Sequence, residues 1–452
     1  MRLDSNNPPT IVMLVAKAFQ KPNPPRTKLE AQALSEAGYR VHVFAWDREA
    51  VFPSLENING VIVQSFSLIN VRRFSRLGLA LGGVLFQIAL IFQTVRLVTR
   101  LKQRPILHAH DINTLLPSFF LRSLGLSPAL VYDCRELTYE VYSDWFHPIV
   151  GTVVRTIEEH LLRHVDAVIT PSDAIADYLR RFCKTVETIY NFPSLADIPT
   201  CSKEQARLRL GLPIDAFIVS SVGTIRTDCR YDLLLEVASL IEKENIRFLV
   251  VGDGPMLPML RKAAEQIPPT RLMILPPVTH TKALCHVFAS DLTWAVYQNR
   301  KIPWMPWKFF ESLACGVPVL VESGTYRAKL VEELGCGVVP KTDCAEDTMR
   351  AIVSLAEDKR RQKRLSAAAK NAALARNLNW EAMSRKLVSV YDRLREPTEY
   401  RASPSASILV VQGDTSQCSA GCHSRPEKGQ QAACSAAEFC NSSEITIWPD
   451  FI

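Results

Sequence analysis

None of the eight cysteines before residue 397 stands in a CxxC pair, and no D-x-D triplet occurs anywhere in the 452 residues. Those cysteines (134, 183, 201, 229, 285, 315, 336 and 344) lie singly, some, like Cys315, where any small apolar residue would serve. The usage is that of a reduced, cytoplasmic protein, not a disulfide scaffold. Without D-x-D, the sequence requires no tightly bound catalytic divalent ion, and no metal or other cofactor is expected. Charge of one sign is not in large excess: 53 Lys and Arg face 46 Asp and Glu, a formal +7. That permits an anionic membrane surface or phosphorylated substrates and demands no nucleic acid. The first apolar run, Ile11–Ala16, is short and preceded by polar residues, so no secretory signal is expected. What is present is ordinary globular material, 47% apolar and 22% charged. This excludes a largely disordered chain and suffices for two or three domains.

Short apolar runs alternate with helical patterns, as in a parallel, doubly wound sheet. Strands are predicted at Ile11–Ala16, Val41–Ala45, Ile106–Ala109, Leu130–Tyr132 and Val165–Thr170, with helices at Thr27–Ala37, Leu115–Leu124 and Ser172–Phe182. A Pro-bearing stretch, Asn191–Thr200, interrupts the pattern, which then restarts. The second set has strands at Phe217–Val222, Arg247–Val251, Leu272–Leu275, Leu292–Val296 and Val317–Val321. Its helices are Tyr231–Lys243, Pro258–Gln266, Ala345–Asn377 and Trp380–Leu394. The predicted domains are therefore 1–195 and 196–395, two Rossmann-like α/β units facing a cleft, with the helix at 380–395 packing back on the first. Ligands of such sheets bind beyond the carboxyl ends of the strands.

Residues 396–452 are rich in Ser, Ala, Gly and Gln and have no sustained period. Cys418, Cys422, Cys434 and Cys440 fall at spacings that match no common zinc pattern, so a disordered, dispensable tail is expected. Leu77–Val95 carries no charge and is flanked by Arg72, Arg73 and Arg76 on one side and Arg96 and Arg100 on the other. Three readings stand: a buried core helix, a membrane-contact helix on an anionic leaflet, or a span. A span would split one sheet across the bilayer, and topology argues against it.

The most informative segment is Pro303–Val321, PWMPWKFFESLACGVPVLV. Pro306 suits a helix start and Gly316 its stop. Lys308 and Glu311, three residues apart, are expected to project from one face near the helix N-terminus. Two readings of the pair remain: a surface ion pair, or a diphosphate-binding lysine beside a carboxylate that accepts ribose hydroxyls.

P-x-K-x-F-E-x-x-A-x-G-x-P-V resembles the donor segment of family 4 glycosyltransferases of the GT-B fold. Other resemblances follow in order: NPPRTKLEAQALSEAGYR at 23–40 with the nearby AWDRE, LHAHD at 107–111, VDAVITPSDAIADYL with IYNFP, FLVVGDGP at 248–255, FASDL at 288–292 and NWEAMSRKLVSVY at 379–391. The resemblance covers about 10–395. It implies transfer of a sugar from a nucleotide-sugar with retention of anomeric configuration.

Residue by residue, Glu311 matches the ribose-binding Glu, and Lys308 the lysine that often precedes it. The family's further Glu, eight positions earlier, is replaced by Pro303. The loop after the strand ending at Gly223 commonly holds an Arg and a Lys for the diphosphate. Here Thr224 and Cys229 occupy those places, and Arg226 and Arg230 are the basic residues within reach. Pro24-Pro25-Arg26 replaces a Gly-Gly turn, with Arg26 assigned to phosphate or acceptor. In HAHD the two histidines are assigned to opposite faces, His108 to the core and His110 to the cleft beside Asp111. Asp133 and Glu136 follow the next strand, with Arg135 where relatives often have His. They are candidate acceptor contacts or a weak base, a helix cap being the competing role for Asp133.

The expected catalytic set is Arg226, Arg230, Lys308 and His110, and the expected binding set Glu311, Arg26, Asp111, Asp133 and Glu136. The expected function is a retaining glycosyltransferase acting on a lipid-linked or saccharide acceptor of cell-surface polysaccharide or glycolipid synthesis, cytoplasmic or peripheral on the inner face of the plasma membrane. A nucleotide-sugar epimerase of the same fold and a non-catalytic binding subunit are the alternatives.

Overall fold

The computed structural model describes residues 8–20, 26–67, 76–101, 103–145, 147–298, 305–374 and 377–395. Pro24, Pro25, Arg72, Arg73, Pro303 and the segment 396–452 lie outside them.

The first unit runs β1 (Thr10–Val15), α1 (Arg26–Glu36), β2 (Arg40–Trp46), β3 (Glu56–Ile58), β4 (Val61–Phe66), α2 (Arg76–Leu101), β5 (Ile106–His110), α3 (Ile112–Ser123), β6 (Leu130–Asp133), α4 (Thr138–Trp145), α5 (Pro148–Leu162), β7 (Ala167–Thr170), α6 (Asp173–Leu179) and β8 (Val186–Thr188). Its eight strands are ordered β3-β4-β2-β1-β5-β6-β7-β8. All pairings are parallel except β3 with β4. Strand β1 is buried along its whole length, the mark of a strand covered on both faces.

The second unit runs α7 (Lys203–Leu210), β9 (Phe217–Val222), α8 (Tyr231–Leu240), β10 (Ile246–Val251), α9 (Leu257–Ala264), β11 (Leu272–Leu275), α10 (His280–Phe288), β12 (Leu292–Trp294), α11 (Trp307–Ala314), β13 (Val319–Leu320), α12 (Tyr326–Leu334), β14 (Gly337–Val338), α13 (Ala345–Glu357), α14 (Lys359–Leu374) and α15 (Trp380–Arg395). Its strand order is β11-β10-β9-β12-β13-β14, all parallel. The single helix expected over 345–377 is two, divided at Asp358.

Each sheet reverses its winding once, between β1 and β5 in the first and between β9 and β12 in the second. Such switch points open a crevice at the carboxyl ends of the flanking strands. Register aligns those ends: Val15 pairs with His110, and His110 with Asp133. In the second sheet Val251 pairs with Val222, and Thr293 with Ser220.

Helix α15 packs against α1 of the first unit. Trp380, Met383, Leu387, Val390 and Tyr391 share one core with β1, β2 and α1. Polar contacts fix the crossing: Lys386 Nζ donates to Thr188 O at 3.1 Å, and Glu381 Oε1 accepts from Ser194 Oγ at 2.8 Å and Leu195 N at 2.9 Å.

Candidate functional site

At the first switch point the strand ends hold two layers of charge. The lower layer is buried. Arg26 opens α1 and is 1% exposed. Its Nε lies 2.8 Å from Glu30 Oε1 and 3.1 Å from Asp133 Oδ1, and its Nη1 donates to Ile189 O at 2.5 Å and to Asn191 Oδ1 at 3.0 Å. His108, His110 and Asp133 are fully buried beside it. The expected substrate contacts of Arg26, His110 and Asp133 are therefore corrected. All three are closed off beneath the surface, with Arg26 and His110 both bonded to Asp133, and their place is that of a scaffold, although His110 Nε2 has no hydrogen-bond partner among the described residues. Asp133 is not a helix cap either.

The assignment of the two histidines to opposite faces is also corrected. A strand alternates with period two, so residues 108 and 110 share a face. Their rings stack at 4.1 Å, and Tyr391 of α15 hydrogen-bonds His108 Nδ1 at 2.7 Å. Burial drives both histidines below their usual pKa, His108 further because His110 adjoins it. Burial alone would raise Asp133, but Arg26, His110 and Arg135 outweigh it and hold this carboxylate well below the usual range. Glu30, buried beside Asp133, is pushed up to about 8.

Ligand atoms of Glu30, His108, His110 and Asp133 lie within 4.8 Å of one another, as in a metal site. Two guanidinium groups already occupy the cluster: Arg26, and Arg135 with Nη2 2.8 Å from His110 Nδ1 and Nε 3.0 Å from Asp133 Oδ2. An added cation would meet two others, which disfavours a metal here.

The upper layer faces the crevice. It comprises Lys17 after β1, Asp111 after β5, and Arg135 and Glu136 after β6. Burial lowers the Lys17 pKa, with Asp111, Arg135 and Glu136 as charged neighbours. Asp111 is the N-cap of α3 at φ 65° and ψ 167°, a backbone geometry in which a non-glycine residue is strained. Sequence reasoning missed Lys17. Its signal was its place immediately past the first strand.

At the second switch point, Lys308 lies in the first turn of α11, behind the N-cap Pro306. It is 7% exposed, and its Nζ donates to Ser221 Oγ at 3.0 Å, which also meets Tyr231 OH at 3.0 Å. Among the described residues Lys308 forms no ion pair. Burial opposes its charge, yet Tyr231, Cys229, Asp228 and Glu311 together raise its pKa, so it stays an ammonium. Lys308 and Glu311, three residues apart on α11 and close enough for Glu311 to raise the Lys308 pKa, take different partners. Lys308 turns inward to β9, whereas Glu311 Oε1 meets Nε2 of His280, at the start of α10, at 2.8 Å. That hydrogen bond raises the His280 pKa. Sequence reasoning missed His280, which has no motif to mark it.

Arg226 grips Asp228 through two bonds of 2.8 Å. Burial would lower its pKa, but Asp228 and, from the other unit, Glu136 raise it. Arg226 thus lies within electrostatic reach of the strand ends of the first unit. Arg230 is the N-cap of α8 and pairs with Asp232 at 2.9 Å, more exposed than Arg226. The loop carrying both arginines is set by glycine. A Cβ on Gly252, at φ 148°, would fall 1.9 Å from Gly223 O, so only glycine lets the two loop backbones touch.

These two facing α/β units with opposed switch points define a GT-B architecture. Residues 25–186 match a glycosyl transferase 4-like domain and residues 202–372 match glycosyl transferases group 1. The chain belongs to the family 4 glycosyltransferases of the GT-B fold. Over 212 residues it is 29% identical to a D-inositol 3-phosphate glycosyltransferase of Thermomonospora curvata, covering 44% of this chain and 48% of that one. The chain spans about half the length of the curated relatives it matches. Among solved structures it is similar to sucrose-phosphate synthase from Thermosynechococcus elongatus, with TM-score 0.72 and 17% identity over 87% of this chain and all of that one. It is also similar to Anabaena HepE in complex with UDP and glucose, with TM-score 0.65 and 15% identity over 84% of this chain and 99% of that one.

Proposed function

We propose that the chain is a retaining glycosyltransferase that moves a sugar from a nucleotide-sugar to a lipid-linked or saccharide acceptor of cell-surface polysaccharide or glycolipid synthesis, at the cytoplasmic side of the membrane. The observation that carries this reading is Lys308, a buried ammonium that forms no ion pair among the described residues, beside a helix N-terminus. Burying an unpaired charge is costly unless something anionic completes it. A diphosphate fits, because helix N-termini and ammonium groups both favour phosphate oxygens. Arg226 approaches the same crevice, so leaving-group charge is stabilised by fixed cations. Glu311 keeps Oε2 for a ribose hydroxyl while Oε1 meets His280. Lys17, Asp111, Arg135 and Glu136 form the acceptor side.

HepE, crystallised with UDP-glucose, makes UDP-sugars the first donors to test. The epimerase alternative needs histidines in the crevice, and burial of His108 and His110 weighs against it. Incubation with a panel of UDP-, GDP- and other nucleotide-sugars separates the readings. Acceptor-dependent release of the nucleoside diphosphate is expected. An epimerised sugar, or binding without turnover, overturns the proposal.

A further inference from the structure

We propose that the outer face of α2, α3 and α5 docks on an anionic lipid bilayer. Helix α2 has two apolar stripes. Phe86, Leu90 and Thr94 point inward and are buried, with Phe86 stacked on Trp46 at 4.6 Å. Val84, Ile88 and Phe92 point outward and are 54%, 58% and 64% exposed. A water-facing stripe of a surface helix is normally polar. The stretch Gly83–Leu101 is long and apolar enough to cross a membrane. Its inner stripe, however, is locked into the core of the first sheet, so only lateral contact with a bilayer is open to it.

The neighbouring helices repeat the pattern at the same spacing. On α5, Ile149, Val153 and Ile157 are exposed, four residues apart. On α3, Leu116 and Phe120 are exposed in the same way. Inward residues of all three helices, such as Leu90, Leu115 and Leu161, belong to one core. Helix α2 packs on α3, and α3 on α5. The three therefore cover the same side of the first sheet, and their outward stripes make one continuous apolar face. A contiguous patch of this kind on a soluble fold marks an interaction site.

Charge selects the occupant. Neither α2 nor α3 contains Asp or Glu, while Arg96 and Arg100 are exposed at the end of α2. The acids of α5 are withdrawn: Glu158 is buried against Tyr132, and Glu159 is held by Arg155 and Tyr178. An apolar face with a basic rim and no free acid among the described residues of its three helices matches a bilayer interface with anionic headgroups. A second copy of this chain would set arginines against arginines.

The inference stands apart from the donor chemistry, because these helices contribute nothing to the Lys308 crevice. The test is co-sedimentation of the full chain with phosphatidylcholine vesicles and with vesicles that also contain phosphatidylglycerol. The wild type binds the anionic vesicles and loses binding as salt rises. Ile88→Ser/Phe92→Ser/Phe120→Ser loses at least about tenfold in binding, and Arg96→Gln/Arg100→Gln about fivefold per arginine, both with unchanged melting temperature. Absence of wild-type binding to either vesicle overturns the proposal, as does equal binding by the wild type and the triple variant. A wild-type dimer that the triple substitution dissolves, without vesicle binding, assigns the face to a second copy and overturns it too.

Discussion

The two units bury charge at corresponding places, under the carboxyl ends of their central strands, and treat it in opposite ways. The first ties its buried groups to one another: Arg26 meets Glu30 and Asp133, and Arg135 meets Asp133. The second leaves Lys308 with a serine hydroxyl and no ion pair among the described residues. A matched buried network rigidifies the scaffold. An unmatched buried cation is a site prepared for an anion that arrives from outside.

The sharpest way to break this contrast is to remove each cation. Arg26→Met removes the buried ion pair with Asp133 and the contact with Glu30, and breaking a buried pair by removing one partner costs about 3–5 kcal/mol. Denaturant unfolding should show that loss, with donor affinity per folded molecule unchanged. Lys308→Met should do the reverse. Turnover falls about 10²–10³-fold, as when a fixed donor to developing charge is removed, while the melting temperature holds or rises. Equal destabilisation by both substitutions would erase the distinction.

Glu311→Ala comes next. Loss of charge-assisted bonds to ribose weakens nucleotide binding by about 1.5–3 kcal/mol, measurable by calorimetry with the protein folded. An unchanged dissociation constant refutes the ribose role.

The last test is a pH slope. Glu30 is raised in the folded chain to about 8 from the usual 4.5. The folded form therefore binds the extra proton between those values. Its contribution to stability is complete below about pH 4.5 and is lost as pH rises through about 8. Melting temperature measured across that window should decline, and Glu30→Gln should flatten the decline. A steeper slope in the variant would show that another group titrates there.

The architecture was largely legible because buried parallel strands are short apolar runs between helical periods. Pro306 and Gly316 punctuate α11 as read, and the α15 helix was found almost to its ends. Strand β13 lies within the strand read at Val317–Val321, but other short elements were not legible: β14 has two residues and β3 and β8 three each, too few for any period. Helices α4, α5, α7, α10 and α12 also went unread. At the site, Lys308, Glu311, Arg226 and Asp111 were named from position and motif. Their partners were not, because pairing is tertiary: 107 residues separate Arg26 from Asp133, and 31 separate His280 from Glu311. The histidine faces were misassigned although strand alternation alone fixes them, so that error lay in the reading rather than in the sequence.

Helix α15 has a consequence for how the chain is made. It is the last element among the described residues, yet Trp380, Met383, Leu387, Val390 and Tyr391 fill the core against β1, β2 and α1. When residue 190 has left the ribosome, every strand of the first sheet exists but one wall of its core does not. That wall arrives some 190 residues later, roughly 10–40 s at ordinary elongation rates. Throughout that interval the apolar faces of β1, β2 and α1 stand uncovered, and His108 lacks the tyrosine hydroxyl it bonds in the finished fold. The first unit is therefore the first to be synthesised and the last to be completed, and its nascent form is the state in which a chaperone or an aggregating neighbour would meet this protein.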